Sequence, residues 1–132
     1  FKSELIKGDH DFANDTFKIA LYTSSASSLA DYTAYSATNE ASGTGYSAGG
    51  VVLSGNTVGT SGTTAYADFT DPEYTSVTIT ARYALIYNTS ATLVTNAACF
   101  FLDFTENKTA TNGTFKIVFP TPGASGLLTV TG

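Results

Sequence analysis

The chain has 132 residues, of which 42% are hydrophobic and only 13% charged, and six basic against eleven acidic side chains give a net charge of −5. This length suits one domain with a single core, and so few cations cannot build the basic surface of a nucleic-acid-binding protein. No run of 18 apolar residues is present to predict a membrane span, and the single cysteine, Cys99, excludes an internal disulfide.

The first segment, residues 1–15, is expected to form either an N-terminal arm or a short helix that ends at Gly8. Phe1, Leu5 and Ile6 are too apolar to be left in water, so the domain itself or a neighbouring subunit should cover them.

Alternating apolar residues predict a first strand over 16–22, where Phe17, Ile19 and Leu21 share one face. Residues 97–104 are apolar on both faces, which predicts a central strand, and Asn112-Gly113 predicts a hairpin turn. Further strands are predicted over 51–53, 65–69, 77–87, 115–119 and 127–130. The fold class is therefore all-β: one antiparallel β-sandwich or jelly-roll-like barrel of seven to nine strands over residues 1–132.

Residues 23–50 form a long loop region with little regular pattern. Loops of this length in small domains are usually functional or contain short strands. Tyr32, Tyr35 and Tyr46 are amphipathic, so they can anchor this loop on the body of the domain or on a partner. With Phe1 and Leu5 they are the predicted interface residues.

Two residue groups that include His10 raise the question of a reactive site. Asp9, His10 and Asp11, with Asp15 nearby, resemble a metal-ligand set, but no second histidine completes it and a solvated turn is favoured. Cys99 and His10 could pair as nucleophile and base. The apolar strand around Cys99 favours an inert core thiol instead.

The acidic residues Asp68, Asp71 and Glu73 surround Pro72. Paired carboxylates serve glycosidic acid–base catalysis or calcium binding, yet the spacing matches no EF-hand and turn capping is favoured. The glycine-rich segment 43–50 lacks the ending of a phosphate-binding loop. No catalytic, metal or cofactor residue is therefore assigned.

Four segments, 16–26, 40–50, 78–88 and 112–120, occur in an order that resembles a family of small virion-associated proteins of tailed bacteriophages. The resemblance extends from Phe1 to about Pro120. It implies a structural part of a phage particle, on the capsid exterior or the tail, with no enzymatic activity and no cofactor.

The leading functional hypothesis is a capsid decoration or cement protein that stabilises the phage head. Its expected partners are the major capsid protein or other virion proteins and further copies of itself, with neither nucleic acid nor membrane. Few charges and many tyrosines suit protein interfaces, although a robust domain with a hydroxyl-rich coat has the same composition. The alternatives are a tail, collar or head-fibre component, a carbohydrate-binding β-sandwich, and, far behind these, a small hydrolase using Asp68 with Asp71 or Glu73.

Overall fold

The computed structural model describes residues 1–132 as two antiparallel sheets with one short helix. In chain order the elements are α1 (Lys2–Ile6), β1 (Phe17–Tyr22), β2 (Val51–Val52), β3 (Thr57–Ser61), β4 (Thr64–Asp68), β5 (Glu73–Asn88), β6 (Ala97–Lys116) and β7 (Leu128–Thr131). The first sheet has the order β2-β1-β5-β6 and the second the order β3-β4-β7. The predicted all-β sandwich of about seven strands is confirmed. The one α-helix has five residues, so no helix of this chain could cross a membrane.

Strand β1 lies at the centre of the first sheet, between β2 and β5, and both of its faces are buried. Phe17, Ile19 and Leu21 belong to the larger apolar cluster, on the side of α1 and the second sheet. Ala20 and Tyr22 belong to a smaller cluster on the opposite side. The alternating pattern predicted burial on one face only. The second face is buried because the loop region 23–50 covers it.

The loop region 23–50 has one 3₁₀ turn, Leu29–Asp31, and is otherwise irregular. It contributes Ala26 and Leu29 to the smaller cluster. Gly50 shows how closely it approaches β1: a Cβ at this position would lie 1.8 Å from the carbonyl oxygen of Ile19, and its φ is +74°. Only glycine tolerates that conformation and that approach together.

Two predictions about β6 are wrong. β6 is an edge strand, not a central one, and Phe101 on it is 43% exposed. Asn112-Gly113 makes no hairpin turn, since β6 continues to Lys116 with Gly113 opposite Val77 of β5. Asn112 has a φ of +47° within this irregular pairing, so the residue adopts the left-handed conformation in the strand itself.

The pairing of β5 with β6 also contains a four-residue bulge. Ala81 pairs with Lys108 and Tyr83 with Asp103, so residues 104–107 stand opposite Arg82 alone. The Arg82 guanidinium donates to both Asp103 oxygens, at 2.7 and 3.2 Å. The bulge therefore interrupts the outer edge of the sheet and places charged groups on it.

Candidate functional site

The five predicted interface residues fall into two groups in the structure. Phe1 and Leu5 flank or belong to α1 and pack against the larger apolar cluster. Tyr32, Tyr35 and Tyr46 lie in the loop region 23–50 and are all half-buried. Nothing in these placements tests contact with another chain, so the interface assignment stays a prediction. The placements do show that each residue already has a role within its own chain.

The loop tyrosines converge on one carboxylate that the sequence analysis did not single out. Glu40 accepts hydrogen bonds from Tyr35 Oη at 2.6 Å, from Tyr46 Oη at 2.7 Å and from the Gly49 amide at 2.7 Å. Tyr46 Oη also accepts from the Leu21 amide at 2.9 Å. Charge-assisted bonds of this kind are among the stronger ones in proteins. Glu40 therefore joins Tyr35 to the segment 46–49, and Tyr46 attaches this group to strand β1.

A second layer of phenols surrounds this group. Tyr87 Oη donates to the Gly49 carbonyl at 2.7 Å, Tyr74 Oη to the Ile19 carbonyl at 2.5 Å, and Tyr22 Oη to Ser36 at 2.7 Å. Burial, and then the charge of Glu40, raise the pKa of Tyr87 to about 12. The same two causes raise the pKa of Tyr22, Tyr35, Tyr46 and Tyr74 as well. These phenols act as neutral hydrogen-bond donors that hold the loop in one conformation.

The structure does bring His10 and Cys99 together, with Nδ1 and Sγ 3.9 Å apart. Asn88 fixes the imidazole: its Nδ2 donates to Asp15 at 2.7 Å and lies 3.0 Å from His10 Nδ1, while its Oδ1 accepts from the Ser90 amide. His10 Nδ1 must then act as an acceptor. Burial raises the pKa of the Cys99 thiol to about 12. A thiol of such low acidity is a poor nucleophile at neutral pH.

The residues Asp9, His10 and Asp11 do not form a common ligand set, because each side chain faces different partners. Asp9 accepts three hydrogen bonds, from the amide and hydroxyl of Thr92 and from the Leu93 amide, and the bonds from Thr92 lower its pKa. His10 Nε2 faces Glu4 at 3.5 Å. Asp11 accepts from residues 13 and 14 in its own turn. The group therefore links the N-terminal segment to the loop after β5.

The acidic residues around Pro72 separate into three settings. Asp71 accepts a hydrogen bond from the Phe119 amide at 2.8 Å, and Glu73 pairs with Lys116 at 3.4 Å across β5 and β6. Asp68 is only 4% exposed, and its Oδ1 has no hydrogen-bond partner. Asp71 therefore holds a backbone segment that is distant in sequence instead of capping its own turn, and Asp68 caps no turn either.

An apolar groove of about 460 Å³ lies between α1 and the second sheet. Its lining is mostly aliphatic and aromatic: Leu5, Phe12, Val58, Ala65, Ala67, Leu128 and Val130. Beside it Ile6 is 88% exposed, while Val58 and Val130 are each more than half exposed. This N-terminal apolar surface, defined by Leu5, Ile6, Val58, Leu128 and Val130, has the character of a binding surface.

Comparison with known proteins adds no relative: no protein-family model, no curated protein and no solved structure matches this chain.

Proposed function

We propose that this chain is a non-enzymatic structural protein of a tailed-phage virion, and that it binds the head as a decoration or cement protein. The observation that carries the proposal is the N-terminal apolar surface formed by α1 and the second sheet. The resemblance of four segments to small virion-associated phage proteins supports the class of particle.

The N-terminal apolar surface suits contact with another protein for an energetic reason. Exposed valine, leucine and isoleucine side chains gain about 25 cal/mol for each Å² of apolar area removed from water. Asp11 is the only carboxylate in the groove lining, and no lysine or arginine lines it. A partner can therefore cover the groove with little desolvation of charged groups, which is the costly part of burying a polar surface.

The fixed loop region 23–50 supports the same proposal from another direction. Association costs free energy when flexible segments become ordered at an interface. Glu40, Tyr35 and Tyr46 already hold this loop against β1 in the single chain. A subunit that has few mobile segments therefore loses less conformational entropy when it binds to a lattice than a subunit with flexible loops does.

The first experiment is a measurement of copy number. Particles that contain the chain are purified, and the chain is quantified against the major shell protein on a stained gel. A ratio close to that of the shell protein is expected for a head-wide decoration protein. A few copies per particle would contradict that role and indicate a tail, collar or fibre component instead.

A matched pair of variants tests the surface. Val130→Lys places a charge on the N-terminal apolar surface, and Val52→Lys does the same on β2, away from it, at nearly equal exposure (57% and 59%). We expect Val130→Lys to abolish incorporation into particles and Val52→Lys to leave it unchanged. Equal incorporation of the two variants would exclude this surface as the contact.

A further inference from the structure

Asp68 is the last residue of β4 and has an unusual environment. Only 4% of the residue's surface is exposed, yet Oδ1 of its carboxylate has no hydrogen-bond partner. Burying an ionised carboxylate costs on the order of several kcal/mol unless the carboxylate is paired or hydrogen-bonded. A buried carboxylate oxygen without a partner in the chain calls for a polar partner from outside it, an ordered water or an ion.

Asp68 lines a cleft of about 390 Å³ between the end of the second sheet and the segment 117–122. No lysine, arginine or histidine lines this cleft. Three threonines (Thr57, Thr70, Thr121) and Asp71 are its other polar lining residues, and Gly55, Phe69, Val118, Phe119, Pro120 and Pro122 complete the lining. Proline has no amide hydrogen to offer, and the Phe119 amide is already bonded to Asp71.

Asp71 supplies the second carboxylate of the cleft. Its Oδ1 accepts the hydrogen bond from Phe119, whereas its Oδ2 has no hydrogen bond within the chain. Two carboxylates and several hydroxyl and carbonyl oxygens, without a cationic side chain, are the kind of donor set that hard cations bind. Ca²⁺ accepts variable oxygen geometry, whereas Mg²⁺ requires a near-ideal octahedron, so Ca²⁺ is the cation that a site not built as an octahedral cage would take.

We propose that this cleft is a binding site for a divalent cation of the calcium type, with Asp68 as its buried ligand and Asp71 as its second carboxylate. Turn capping, expected from the sequence, does not account for Asp68, whose Oδ1 has no hydrogen-bond partner. Bound here, the cation would connect the end of β4 to the segment 117–122 and so fasten the chain after β6 to the second sheet. The proposal is independent of the virion role, because it is tested on the purified chain alone.

The test is thermal unfolding of the full chain, first stripped with a chelator and then titrated with CaCl₂ at constant ionic strength. Sites with few carboxylates bind Ca²⁺ with dissociation constants of about 10⁻⁴–10⁻³ M. We expect a saturable rise in Tm over that range. Asp68→Asn should remove the rise, and Glu73→Gln, a nearby carboxylate outside the cleft lining, should retain it.

Several results would overturn the proposal. One is a Tm of the wild-type chain that does not respond to about 20 mM Ca²⁺, well above the expected dissociation constant. Another is an equal response in Asp68→Asn. If Asp68→Asn fails to fold, calorimetric titration of Asp71→Asn decides: at least a tenfold weaker Ca²⁺ affinity supports the site, and unchanged affinity refutes it.

Discussion

Two carboxylates that the fold draws inward, Glu40 and Asp68, have opposite surroundings. Glu40 accepts three hydrogen bonds from two phenols and a backbone amide, and it holds a 28-residue loop region to strand β1. Asp68 is more completely buried, and one of its oxygens has no partner. The first carboxylate stabilises the single chain as it stands. The second has no such partner within the chain, and an additional polar group such as a water molecule or a cation would supply one.

The difference shows how burial and hydrogen bonding act separately. Removing the charge of Glu40 breaks bonds that replace its hydration, whereas removing the charge of Asp68 relieves a desolvation cost that nothing offsets. The same chemical change should therefore have opposite effects on the free energy of unfolding at the two positions.

The largest effect is expected at alkaline pH, which acts on the buried tyrosines of the Glu40 region. The raised pKa values of its tyrosines mean that their stabilising contribution is complete below pH 10, their ordinary value, and is lost as pH rises towards the folded-state value, about 12 for Tyr87. We expect cooperative unfolding in this range, followed by urea denaturation and by tyrosinate absorbance. Ionisation of all eight tyrosines near pH 10 with the fold intact would contradict this account.

The next largest effect is expected for Glu40→Ala. It leaves two phenols and the Gly49 amide without their acceptor, so the free energy of unfolding should fall by about 2–4 kcal/mol in urea titrations. Glu73→Ala is the control, because its exposed pair with Lys116 should contribute less than about 1 kcal/mol. Similar losses in the two variants would show that Glu40 does not secure the loop.

A smaller effect is expected for Tyr46→Phe, which removes one hydroxyl that bonds both Glu40 and the Leu21 amide. The expected loss is about 1–2 kcal/mol, since the amide loses its only acceptor. Tyr32→Phe serves as comparison: its hydroxyl makes one long contact of 3.5 Å with Thr38 and should cost almost nothing. The same denaturation assay measures both, and a larger loss for Tyr32→Phe would refute the ranking.

The smallest effect, and one of opposite sign, is expected for Asp68→Asn in the presence of a chelator. Without a cation the variant should be as stable as the wild-type chain or more stable by about 1 kcal/mol, because an unpaired buried charge is removed. Glu40→Gln should lose stability under the same conditions. A loss of stability in Asp68→Asn with chelator would show that Asp68 has a favourable partner in the chain alone.

Period-two patterns in the sequence were sufficient to predict the all-β class and to place β1, β4 and most of β5. They could not predict the edge position of β6, because an apolar strand looks the same whether a loop or another strand covers it. The hairpin turn predicted at Asn112-Gly113 was wrong for a similar reason, because a left-handed backbone conformation occurs at an irregularity within a strand as well as in a turn.

The site was less predictable than the fold. Tyr35 and Tyr46 were identified as anchors of the loop, and the structure shows what their hydroxyls bind within the chain. Nothing local distinguished Glu40, because its role depends on β1 and the loop meeting in space. The proximity of His10 to Cys99 depends likewise on long-range pairing, 89 residues apart along the chain.

The bulge at residues 104–107 has a consequence for solubility. A 20-residue edge strand offers a long row of backbone groups that could recruit the same strand of another molecule and begin a fibril. Four residues stand opposite Arg82, three more than regular pairing allows, and with the ionic groups of Arg82, Asp103 and Glu106 they break the regular row of hydrogen-bonding sites. Even at high local concentration, this interruption hinders β6 of one molecule from pairing with β6 of the next and so extending the sheet.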